Sequence, residues 1–271
     1  MNPILKRTIV ALSTAAAVVC AILFLPKIVI VGALIAVIAL VHLEFCQMVS
    51  KKYEIMSIIS VVAGLLLTIA LAFESRILSI YIFTPCIFLF VGVMLLSLFI
   101  ALFGKFKTPL IALSTSMISL VYIPLMLTGL LGAACTLQPL MFLYMVAIIK
   151  ISDMGGFAFG LAFGKHKMCP SISPKKSWEG MAGSIFGSCL ISCSFMPITH
   201  FSWGESLILG TVAAITGTLG DLFESRIKRE IGVKDSATFM PAGMGGFLHM
   251  FDSLIFAPMI ILPLISFFSQ H

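Results

Sequence analysis

The 271-residue sequence predicts an all-α, polytopic integral membrane protein, and three observations carry that prediction. Hydrophobic residues make up 60% of the chain and charged residues 10%, with a mean hydropathy of +1.16, whereas soluble domains are about 45–50% apolar. Apolar runs recur from end to end, each close to the roughly 20 residues that cross about 30 Å of hydrocarbon as a helix. The runs do not alternate apolar with polar residues, as strands of a membrane barrel would. Disorder and a soluble globular class are both excluded.

Nine spans are expected, at roughly 8–25, 28–44, 55–73, 77–103, 109–131, 136–152, 180–199, 205–222 and 247–268. In the first, Lys6 and Arg7 precede an apolar stretch as in a secretory signal. That stretch is long, lacks an A-x-A cleavage site and is followed at once by further spans, so a retained helix is expected. Pro85 in the fourth span and Pro124 in the fifth are expected to kink helices rather than break them, because neighbouring helices can satisfy the freed backbone groups. The seven cysteines are scattered, mostly within apolar runs, with no C-x-x-C pair. They read as small packing residues.

The basic residues provide an independent check on this count. Lys6, Arg7, Lys51, Lys52, Lys105, Lys107, Lys165, Lys167, Lys175, Lys176, Arg226, Lys228, Arg229 and Lys234 all fall on one side, fourteen of the 17 Lys and Arg. Such a bias marks the cytoplasmic face. It predicts the N-terminus inside, the C-terminus outside, and both charged loops facing the cytosol.

The chain also divides by content. Residues 1–149 are nearly pure apolar helix with short loops and no convergent polar groups, a scaffold region with a role in dimerisation. Residues 150–271 carry the glycine clusters, paired charges and polar loops, and any chemistry is expected there. Lys150 and Asp153 are three apart on a helix and can face each other, either as a functional pair or as an ion pair that locks helices. Gly156, Gly160 and Gly164 form a stripe along which another helix can approach. GLAFGKH at 160–166 is one residue short of a Walker loop and has His166 where Ser or Thr must stand, so that reading is rejected.

In SISPKKSWEGMAG at 171–183, Pro174 forces an extended approach, Lys175 and Lys176 bring charge suited to phosphate, and Ser177 can cap a helix whose first turn holds Glu179. Within GDLFESRIKREIGVKD at 220–235, Asp221, Glu224, Ser225 and Lys228 share one helical face, and Arg226 and Arg229 line another. That face reads either as a salt-bridged extension or as a site. Asp221 ends an apolar run with no base one turn before it, which favours a metal or a bound cationic group as its partner. In PAGMGGFLHMFDS at 241–253, His249 and Asp252 are three apart at the start of the last span. An acid there needs a partner, and Asp221 with Asp252 can hold one or two magnesium ions through oxygen.

Taken together, DMGGFAFGLAFGKHK at 153–167, SPKKSWEG at 173–180 and GDLFESRIKREIGVKDS at 220–236 resemble, closely and in order, the phosphatidate cytidylyltransferases. The resemblance covers about residues 150–256. It implies an integral membrane enzyme of the bacterial inner membrane, homodimeric, acting at the cytoplasmic face with Mg2+. The substrates would be CTP and phosphatidic acid, the products CDP-diacylglycerol and pyrophosphate, with no nucleic acid as partner. By position, metal-binding acids fall on Asp221 and on the turn around 249–252. Lys175, Lys176, Arg226, Lys228, Arg229 and Lys234 fall where nucleotide and lipid phosphates are met. Ser177, Ser225, Asp153 and Asp235 join the expected substrate-binding set, Asp235 orienting Lys234 or a second ion.

The last motif departs from the family form P-G-H-G-G-x-x-D-R-x-D-S. Here Met244 stands for its His, His249 for its first Asp and Met250 for its Arg, while Asp252 and Ser253 remain. His249 can ligate as neutral imidazole, although magnesium prefers oxygen. Three other readings stay open: a transporter with Lys150, Asp153 and Asp252 as an ion path, a cytidylyltransferase acting on another lipid phosphate, and a degenerate, inactive relative, which rests on His249 and Met250.

Overall fold

A computed structural model describes residues 16–53, 57–74, 106–233 and 246–270, with isolated helical positions at 92, 95 and 99–100. Pro85 and nearly all of the expected span 77–103 lie outside the described residues, as do Lys234, Asp235 and the stretch 241–245. After a helical segment at 16–24 come α1 (Lys27–Val49), α2 (Ser57–Glu74) and α3 (Pro109–Leu120). The single π-helical turn Val121–Leu125 joins α3 to α4 (Met126–Thr136). Then follow α5 (Pro139–Phe163), β1 (Lys167–Cys169), β2 (Ser173–Ser177), α6 (Trp178–Ser194) and the short α7 (Met196–Thr199). The chain closes with α8 (Trp203–Ile231) and α9 (Phe247–Phe268).

The protein is a multi-pass membrane protein. Among the described residues, five helical stretches are long and apolar enough to cross a bilayer: α1, α3 through α4, α5, α8 and α9. Pro124 lies in the π-helical turn, and the helix runs on through it from Pro109 to Thr136. A proline lacks the N–H for the i→i−4 bond, and a wider turn absorbs the missing link.

Two helices outrun their expected limits furthest. Expected to end near residue 152, α5 continues to Phe163. Its charged pair is accommodated rather than expelled, because Lys150 Nζ donates to Met250 O and Ser253 Oγ on α9, each at 2.9 Å. Expected to end near 222, α8 runs through the charged stretch to Ile231. Its start is a capping box, in which Ser202 Oγ accepts from the Glu205 N–H and Glu205 Oε2 accepts from the Ser202 N–H. Its end is Gly232, whose φ of 85° lies in the left-handed region that glycine enters without steric cost.

Between α5 and α6 the chain forms an antiparallel ribbon, with Lys167 opposite Ser177 and Cys169 opposite Ser173. The sequence shows this segment only as a basic loop. Two other contacts close the ribbon onto the helix start: the Trp178 N–H donates to His166 O at 3.0 Å, and Ser177 Oγ accepts from the Gly180 N–H at 3.1 Å.

Small residues set how closely the helices approach. A Cβ on Gly155 would run into Gly183 O, one on Gly156 into Ser184 Oγ, and one on Gly183 into the Phe159 side chain. The glycine face of α5 therefore lies directly on that of α6. The packing continues from α6 to α8, from α8 to α9, and from α9 to α4. Tyr144, Met145, Ile148, Leu209, Ala213 and Ile255 are fully buried at its centre. In the N-terminal half, a polar clasp joins three helices. Ser60 Oγ lies 2.5 Å from Ser119 Oγ and 3.2 Å from His42 Nε2, and that nitrogen is 3.3 Å from Ser119 Oγ. Such satisfied polar contacts hold helices together where lipid is as apolar as the side chains.

Candidate active site

Four side chains that can ligate a metal converge where α8 and α9 cross. Asp221, Glu224, His249 and Asp252 each offer one ligand atom, and all four atoms lie within 4.8 Å of one another. Asp221 and Glu224 stand on one face of α8 by their i, i+3 spacing, and His249 and Asp252 do the same at the start of α9. His249 Nδ1 is 3.0 Å from Asp252 Oδ2 and 3.6 Å from Glu224 Oε2. Asp252 Oδ1 accepts from the Ser253 N–H at 2.6 Å.

A glycine permits this convergence. A Cβ on Gly220 would strike Asp252 O and reach the Phe256 ring at 3.4 Å. The bare backbone at 220 therefore lets α8 approach α9 at the level where both helices carry their acids.

Lysines surround the cluster. Lys176 Nζ, delivered by β2, sits 2.7 Å from Asp221 Oδ2 and donates to Thr218 O at 3.1 Å. The partner missing from Asp221's own helix is thus supplied by the ribbon. Lys228 Nζ lies 2.8 Å from Glu224 Oε2. Glu224 is fully buried, and its second oxygen, Oε1, has no hydrogen-bond partner among the described residues. An unsatisfied carboxylate oxygen in a dry setting is costly. Three carboxylates and an imidazole around that orphan oxygen fit a divalent cation.

The remaining expected site residues divide into four groups. Lys175, Arg226 and Arg229 are exposed, and Arg229 Nε donates to Ile172 O at 3.3 Å, tying α8 to the ribbon. Ser225 Oγ is 3.5 Å from Asp221 Oδ1, and Asp153 Oδ2 is 3.8 Å from Lys150 Nζ. Ser177, expected to meet substrate and to cap a helix, is buried, and its Oγ accepts the Gly180 N–H at the start of α6. Lys234 and Asp235 lie outside the described residues. Beside the ribbon, Glu179 Oε1 is 2.6 Å from His166 Nδ1, and both its oxygens accept from the His166 N–H. The Glu179 carboxylate is held far below its ordinary value, at about 2, first by its own backbone N–H and next by the His166 side chain.

Three residues in or beside the cluster stand apart from the expected site set. Glu224 shares the Asp221 face, which reads either as a salt-bridged extension or as a site. Glu44 and Tyr122 come from the half of the chain expected to lack convergent polar groups. Glu44, fully buried, accepts the Leu248 N–H through Oε2 at 3.2 Å. The Tyr122 ring packs on Phe45, Phe223 and Phe256 at centroid distances of 5.4, 5.0 and 5.9 Å. The sequence does carry a signal for Glu44, which is the one acidic residue of a 23-residue apolar helix.

Comparison with known proteins gives a consistent picture. The family described as the cytidylyltransferase family matches residues 5–268. A phosphatidate cytidylyltransferase of Mycobacterium bovis is 44% identical over 118 residues, which is 42% of this chain and 37% of that protein. One from Mycobacterium tuberculosis is 44% identical over 118 residues, 34% of its length. One from Staphylococcus aureus is 40% identical over 126 residues, 46% of each chain. The chain therefore spans between a third and a half of the length of these curated relatives.

Proposed function

The chain belongs to the cytidylyltransferase family, and we propose that it transfers CMP from CTP to phosphatidate, releasing pyrophosphate and forming CDP-diacylglycerol. The observation that carries this reading is the meeting of Asp221, Glu224, His249 and Asp252 beside Lys176 and Lys228. Its relatives named phosphatidate cytidylyltransferase support the choice of substrates.

An oxygen of the phosphatidate phosphate attacks the α-phosphorus of CTP in line. A new P–O bond forms as the bond from the α-phosphorus to the bridging oxygen breaks, and the electron pair leaves with pyrophosphate. Such a transfer asks the protein for positioning and charge compensation rather than covalent chemistry. Lys175, Arg226 and Arg229, all exposed, hold the phosphates of the two anionic substrates. Lys176 is a point charge already oriented by Asp221 and Thr218 O, and Lys228 is oriented by Glu224. Asp221, Glu224, Asp252 and His249 would hold a divalent cation, magnesium in this reading. When bound, it supplies neutralisation of phosphate oxygens. Lys150 fixes the first turns of α9 against α5 through Met250 O and Ser253 Oγ, which keeps Asp252 in place.

The one-sided placement of basic residues supports a site facing the cytoplasm of a bacterial inner membrane. A homodimer with the N-terminal helices as scaffold completes the proposal.

Purified protein in detergent, supplied with CTP, phosphatidate and magnesium, should release pyrophosphate. Asp221→Asn should lower that release by about 10²–10³-fold or more, the scale on which single electrostatic groups act in such sites, while the protein still inserts and purifies. Release within a few-fold of the unaltered protein would remove Asp221 from the site.

A further inference from the structure

Among the described residues, the helix that carries His249 and Asp252 has no capping side chain of its own. Its N-cap is Gly246, no side chain bonds to its first turn from the cap position, and that turn contains no acidic residue. The sequence from 243 to 246, GMGG, offers no side chain for the purpose. The first four N–H groups of a helix lack intrahelical acceptors, and burying them without partners is unfavourable. Here an acceptor comes from the other half of the chain: Glu44 Oε2 takes the Leu248 N–H at 3.2 Å across 204 positions of sequence.

We propose that Glu44 is a positioning residue for the acidic cluster, fixing the first turn of α9 and so setting where His249 and Asp252 stand relative to Asp221 and Glu224. The inference rests on the reading that this cluster holds the divalent cation of the transfer reaction. Geometry makes the coupling direct. Leu248 is adjacent to His249 and one turn before Asp252, and a slip of one residue at the helix start would rotate Asp252 by about 100° about the axis. Negative charge also suits a helix N-terminus, where the partial positive charge of the backbone collects.

The seat of Glu44 is rigid. Glu44 and Leu248 are both fully buried, and Phe45, the next residue, is 2% exposed. Phe45 packs on Tyr122, whose ring also meets Phe223 of α8 and Phe256 of α9. The same aromatic cluster thus fixes α1 against both helices that carry the acids. An acidic side chain inside an apolar helix is expensive to retain, and the bond to the Leu248 N–H offsets part of that cost.

The test uses full-length protein in detergent, with Mn2+ as a paramagnetic stand-in for the cation and binding read by electron paramagnetic resonance. Glu44→Ala should raise the Mn2+ dissociation constant by about tenfold or more, the scale of loss when a group that orients metal ligands is removed. Glu44→Gln should show a smaller rise, because its amide oxygen still accepts the Leu248 N–H. Glu44→Asp, one methylene short, should weaken Mn2+ binding more than Gln does and decides the matter if the alanine variant fails to fold. Lowered thermal stability with Mn2+ affinity within about twofold of the unaltered protein in every folded variant overturns the proposal, since a merely structural carboxyl would behave so. Unaltered protein that shows no saturable Mn2+ binding overturns it as well. Mn2+ binding that weakens in the Glu44 variants supports it even if the unaltered protein releases no pyrophosphate from CTP and phosphatidate. That last result would refute the cytidylyl transfer alone.

Discussion

His249 stands among carboxylates, 3.0 Å from Asp252 Oδ2 and 3.6 Å from Glu224 Oε2, and it makes this an N,O cluster rather than an all-oxygen one. Magnesium is a hard ion that favours oxygen, whereas imidazole suits zinc better. His249→Asp should therefore lower the magnesium concentration needed for half-maximal pyrophosphate release several-fold and weaken Zn2+ inhibition, both measurable by metal titration. An unchanged metal preference would mean that the imidazole does not reach the ion. The two aspartates were legible as a candidate pair in the sequence because each interrupts or ends an apolar run, where charge is costly. Glu224 was legible as part of a face that reads either as a salt-bridged extension or as a site. Its complete burial and orphan oxygen depend on α9, which no local spacing announces. The Lys176–Asp221 contact was equally hidden, because it joins a ribbon to a helix with no shared period.

The approach of α8 to α9 depends on Gly220. Adding a methyl group there forces Asp252 O and the helix behind it outward. Gly220→Ala should cost about 1–3 kcal/mol by overpacking. It should also separate Asp221 from Asp252, so catalytic rate should fall more than thermal stability implies; thermal melts beside pyrophosphate assays would show it. Element positions were largely readable from hydropathy, and Phe247–Phe268 matches its expected span. Element ends were not. Both α5 and α8 run past their apolar limits because Lys150 bonds to α9, Asp221 pairs with Lys176 of β2 and Lys228 pairs with Glu224, while Arg226 and Arg229 stay exposed. The ribbon at 167–177 left no trace because its strands are three and five residues long, too short for alternation to register.

Over the whole molecule, the exposed basic flank and the ribbon share one end of the structure with the acidic cluster, so orientation decides which compartment supplies the nucleotide. In a version lacking the native cysteines, Lys175→Cys should react with a membrane-impermeant maleimide only in inside-out vesicles, and Ser269→Cys only in right-side-out cells. The reverse pattern would refute cytoplasmic placement. The separation of scaffold from chemistry at residue 149 was drawn from composition, and composition cannot register three-dimensional contact. Lys52 Nζ donates to Glu230 O at 2.5 Å and the Tyr53 hydroxyl to Glu230 Oε1 at 3.1 Å, which anchors the far end of α8 to the first half of the chain.

That anchorage constrains any attempt to graft the first half of a relative onto this second half. A chimera inherits its acids and lysines from one parent, but the grip on the last turn of α8 comes from the other. A donor segment chosen for hydropathy alone would supply greasy helices of the right length and leave Glu230 without its two tethers. Such a hybrid is expected to insert in the bilayer and still hold its charged helix end loosely.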